Sequence, residues 1–117
     1  MLQSDDRFIR TAAIVTLMHI GPAASQYAIP VLKDSFWRIR IEPTYTIIHE
    51  PGPQWSPWVT PLLEALDSET INQYYIIMAL GKIGKPAAPA IPKLQTYKSG
   101  PIADAAKQAI QQIEGAQ

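Results

Sequence analysis

Cysteine is absent from the 117-residue chain. Disulfides, thiolate nucleophiles and cysteine-ligated zinc are thereby excluded. An excess of charge is absent too: ten Lys and Arg offset ten Asp and Glu. Nucleic acid and anionic membranes both select a basic face, and no run of basic residues occurs, so neither is an expected partner. Long hydrophobic runs are missing, the longest being far short of the ~20 residues of a membrane span. The opening MLQSDDRFIR has two early acids and no basic stretch leading into an apolar one, unlike a secretory signal. These absences lead us to expect one soluble, cytoplasmic domain over residues 1–117, with a piece of a longer repeat array as the alternative.

Proline, by contrast, is abundant at 11 residues, about twice the usual share. Its placement is periodic. Pro30, Pro61 and Pro92 are evenly spaced, and Leu32, Leu63 and Leu94 repeat the same interval. Gly21, Gly52, Gly84 and Gly115 follow it too, with one extra position between the middle pair. The interval, about 31 residues, lies in the range of stacked helical repeats. The segments IGPAASQYAIPVL, PGPQWSPWVTPLL and IGKPAAPAIPKL follow one scheme: glycine, a small or proline-rich link, an apolar residue, proline, any residue, leucine. Ahead of the glycines the apolar spacing is helical. Ile9, Ala13, Leu17 and Ile20 form one stripe, Ile76, Leu80 and Ile83 another, and Ala106, Ile110 and Ile113 a third.

Proline in the first turn of a helix loses no intrahelical hydrogen bond, and its fixed φ of about −65° already suits the helix. Pro30, Pro61 and Pro92 are therefore read as starts of second helices. The glycines are read as left-handed ends of first helices. Ser4 and Ser68 are candidate N-caps, and KSGP at 98–101 reads as a glycine stop before the last helix. The units fall at about 4–35, 36–67 and 68–99, with a half-unit at 100–117. No single helix pair can bury its stripe alone, but stacked copies can.

The runs RTAAIVTLMHIG with IPVL (10–21 and 29–32) and ALGKIG with IPKL (79–84 and 91–94) resemble HEAT-like repeats, in particular the short bacterial repeats related to phycobilisome lyases. The resemblance implies an all-α fold, a right-handed α-α superhelix (HEAT-like solenoid) of about three helix pairs plus a half-pair. It also implies a concave face lined by second helices. Lys33, Glu64 and Gln95 share the proline interval and, with Asp34 and Lys98 nearby, form a mixed-sign ladder on that face. Such a ladder is either a plain solvated face or a surface that suits a protein or peptide better than a polyanion.

The middle copy departs from the scheme. Pro43 interrupts residues 34–55, and Trp37, Ile39 and Ile41 alternate with charged residues as in a strand. Ile29, Leu32, Phe36 and Ile39 keep helical spacing, so we expect a helix running to about residue 41 and a short helix restarting at Pro43. All three tryptophans, Trp37, Trp55 and Trp58, lie here. They either fill space left by a shortened helix or form an exposed aromatic patch of the kind that anchors partners.

Catalytic constellations are sparse. Within the resemblance, deoxyhypusine hydroxylases carry several His–Glu pairs on two irons, but His49–Glu50 is a single pair and His19 is followed by Ile20. No chromophore pocket of the lyase kind, basic glycosylase face or nucleophile triad stands out. The segment GKIGKP is explained by the repeat better than by phosphate binding. The expected role is non-catalytic protein binding or scaffolding, with no cofactor and no metal. A second reading is self-association through an open C-terminal end, where Ile102, Ala106, Ile110 and Ile113 lack an obvious polar cover. A pigment- or metal-dependent enzyme is a third.

Overall fold

A computed structural model describes residues 7–20, 37–68 and 73–115. Among them the regular elements are all helical: α1 (Arg7–Ile20), α2 (Trp37–His49), a 3₁₀ turn (Pro53–Trp58), α3 (Val59–Ser68), α4 (Gln73–Ile83), a second 3₁₀ turn (Lys85–Ala90), α5 (Ile91–Leu94) and α6 (Gly100–Gly115). The long helices form a row in which α1 packs on α2, α2 on α4 and α4 on α6. The shorter elements form a second row. The first 3₁₀ turn and α3 dock on α4, the second 3₁₀ turn and α5 dock on α6, and the two 3₁₀ turns touch each other.

Burial follows from these neighbours. Helix α4 has a helix on either side and the second row beneath, and Ile76, Ile77, Ala79, Leu80, Gly81 and Ile83 are all buried. A helix apolar around most of its circumference belongs in such a central place. Each fully buried Ile or Leu contributes about 1.5–3 kcal/mol. Helix α6 has a single stripe, Ala103, Ala106, Ala109 and Ile113, which is buried. Asp104, Lys107, Gln108, Gln111 and Glu114 are exposed. The expectation of an uncovered apolar end is corrected here: Ala106 and Ile113 face the core, and Ile102 and Ile110 pack against it half-buried. The polar outer side of α6 is itself the cover that the helical spacing alone did not reveal.

Helix α2 settles the strand-or-helix question for residues 37–49 in favour of helix. It does not break near residue 41: one helix runs through Pro43. A proline inside a helix forfeits the hydrogen bond to the carbonyl four residues back, here Ile39, and costs about 3 kcal/mol or more. The helix persists because Pro43, Thr44 and Ile47 are all buried, in a helix clamped between α1 and α4. The buried Thr44 hydroxyl needs no partner outside the helix, since it donates to the Ile41 carbonyl at 2.7 Å. Thr46 does the same to Glu42 at 3.0 Å. Pro43→Ala is expected to raise unfolding free energy by about 1 kcal/mol, because the regained hydrogen bond outweighs lost ring packing and a looser unfolded chain. Urea denaturation followed by circular dichroism measures it, and an unchanged or lower midpoint would show that the ring's packing dominates.

The two described links correspond in the glycine register, one position longer than the proline interval. Gly52 (φ 147°) and Gly84 (φ 86°) precede them, both in backbone regions that side-chain-bearing residues avoid. The Trp55 N–H donates to the Gly52 carbonyl and the Ala87 N–H to the Gly84 carbonyl. At the far ends the Val59 N–H donates to Ser56 and the Ile91 N–H to Ala88. Buried Trp55, Trp58 and Leu62 answer to buried Ala87, Ala90 and Leu94. Pro61 is thus third in α3 and Pro92 second in α5: both occupy a first turn, one register apart. Leu63, which the proline interval pairs with Leu94, is only half-buried; Leu62 is the true counterpart. Identity of residue type pulled the sequence alignment off by one, which a helix start permits because proline is tolerated at more than one position there.

Other expected punctuation divides. Gly100 has φ 84° and opens α6 ahead of Pro101, as read from KSGP. Gly115 is the last described residue of α6 and has no left-handed φ. Ser68 lies in α3, and residues 69–72, which lead into α4, lie outside the described residues. Ser4, Gly21 and Pro30 lie outside the described residues.

Candidate functional site

The end of α2 and the link that follows hold two of the three tryptophans. Trp55 is 2% exposed and Trp58 0%. The Trp55 indole N–H donates to the Glu50 carbonyl at 2.7 Å, satisfying an oxygen just past the last turn of α2. The Gln54 amide reaches the same carbonyl at 3.3 Å. The Gly52 N–H donates to the Lys82 carbonyl at 3.0 Å, tying the end of α2 to the end of α4. Trp55 and Trp58 are therefore core residues and not an exposed aromatic patch; the space-filling reading is the one their burial fits. Where the next link has Ala87 and Ala90, this one needs two indoles. Trp37 opens α2.

The Trp58 N–H is buried with no hydrogen-bond partner among the described residues. An unmet buried donor costs about 1–3 kcal/mol. The ring's burial, which contributes more than that, keeps it in place.

Of the ladder residues, Glu64, Gln95 and Lys98 are exposed. Lys33 and Asp34 lie outside the described residues. The glycine register alters the ladder: Glu64 corresponds to Thr96, and Gln95 to half-buried Leu63. Thr96 turns its hydroxyl to the Lys93 carbonyl at 2.6 Å. The Lys93 ammonium lies 6.0 Å from the centre of the Tyr97 ring, near the limit of a cation–π contact. Glu64, Gln95, Thr96 and Lys98 are thus exposed polar residues without a dominant sign.

Among the residues whose burial is described, the exposed aromatic residues are tyrosines, which the sequence pattern did not single out. Tyr45 on α2 is 55% exposed, and Tyr74 and Tyr75 on α4 are 45% and 40%. All belong to the long-helix row. Tyr45 stacks obliquely on His49 with ring centres 4.2 Å apart, a pairing its i, i+4 spacing foretells. Tyr74 and Tyr75 meet edge to face at 5.8 Å. The tryptophans stand out in the sequence because they cluster. The two α4 tyrosines sit just ahead of that helix's buried stripe, where only three-dimensional packing separates covered from open positions. Between α4 and α6 runs a shallow groove of about 70 Å³, lined by Tyr74, Met78, Lys82, Gln108 and Gln112 over Ala105 and Ala109.

His49 is exposed and held against Tyr45. Among the described residues no group of three or more His, Asp or Glu is placed to hold a metal ion, and no helix is long and apolar enough to cross a membrane. No family model matches the chain, and neither a curated protein nor a solved structure matches it.

Proposed function

We propose that the chain is a short right-handed α-α solenoid of the HEAT-like kind, which holds a protein or peptide partner and catalyses no reaction itself. The observation that supports this reading is the serial order of packing, each long helix on the next, with two links that repeat down to their backbone hydrogen bonds. In such arrays each unit contacts mainly its neighbours, and the surface left open by the second row is the usual place for a ligand. Here that surface carries Glu64, Gln95 and Lys98, whose balanced charge fits a mixed polar partner better than a polyanion.

The test compares proteins retained from native lysate by the unaltered chain and by Glu64→Lys with Lys98→Glu. A partner held in stoichiometric amount by the first and lost by the second, with helicity unchanged by circular dichroism, supports the reading. Equal retention by both removes this face from the account.

A further inference from the structure

We draw no further inference here: the strongest candidate, the shallow groove between α4 and α6 rimmed by Tyr74, Lys82, Gln108 and Gln112, carries nothing, because its one cation, Lys82, stands in the last turn of α4 where the helix carbonyls already offset it and nothing in the structure shows what covers the groove.

Discussion

Trp58→Ala is expected to lower the unfolding free energy by about 3–5 kcal/mol. The indole is fully buried, in the same cluster as Leu62, Leu66, Ile76 and Leu80. It belongs to the 3₁₀ turn that joins α3, α4 and the second 3₁₀ turn, so the cavity would open where both rows meet. Domains of this size are stable by only about 5–15 kcal/mol in total, so the loss would take a large share of it. Trp58→Phe separates packing from polarity. It removes an N–H that has no acceptor among the described residues, so it relieves an unmet donor while leaving a smaller gap. Its cost is expected to stay at about 1 kcal/mol. Urea titrations of both variants, followed by helical circular dichroism, give the two numbers. An alanine variant that loses under about 1 kcal/mol would mean that Trp58 does not occupy the core.

Gly81→Ala is the second, and its sign runs against helix propensity. Glycine in the middle of a helix is about 1 kcal/mol worse than alanine, so a free α4 would be strengthened. In the packed chain a Cβ at position 81 would stand 3.0 Å from the Ala109 Cα and 3.1 Å from its Cβ. It would also collide with the Gln112 Oε1. The amide of Gln112 can swing away, but the backbone of α6 can yield only by moving the helix. Overpacking of this kind costs about 1–3 kcal/mol. Set against the propensity gain, the net expectation is a loss of about 1 kcal/mol. Gly115→Ala is the control, since a Cβ there meets nothing within 4 Å; it should be neutral or slightly stabilising. The opposite signs of two identical substitutions isolate the α4–α6 contact from propensity, and a gain at both positions would contradict it. The readout is the thermal midpoint of each variant.

The helices themselves were legible because their stripes are long and their punctuation is chemically specific. Gly52 and Gly84 mark the links, Pro61 and Pro92 mark first turns, and Ile76, Leu80 and Ile83 are buried as their spacing implies. The register of the links was not legible. Proline fits several positions of a helix start, so Pro61 and Pro92 mark the same turn without marking the same residue. Pro43 misled for a related reason. Its local cost is real, but the burial of Thr44 and Ile47 in a helix held by two neighbours exceeds it, and that sum is invisible in a local window. Trp55 and Trp58 were ambiguous because aromatic residues serve both cores and interfaces. Only the small counterparts Ala87 and Ala90 in the next copy reveal them as fillers. For the ladder residues, Glu64 in α3 and Gln95 and Lys98 beyond the end of α5 are exposed. Their even spacing as a ladder rested on the proline interval and does not survive the glycine register.

The central claim is that successive copies stack in chain order, with Gly52 and Trp55 equivalent to Gly84 and Ala87. A nuclear Overhauser spectrum of the isotope-labelled protein tests it most directly. The account predicts strong cross-peaks from the Gly81 α-protons to the Ala109 methyl group, and matching proximity patterns at Gly52–Trp55 and Gly84–Ala87. Gly81 without contacts to Ala109, or proximity patterns that make Leu63 and not Leu62 the counterpart of Leu94, would contradict it.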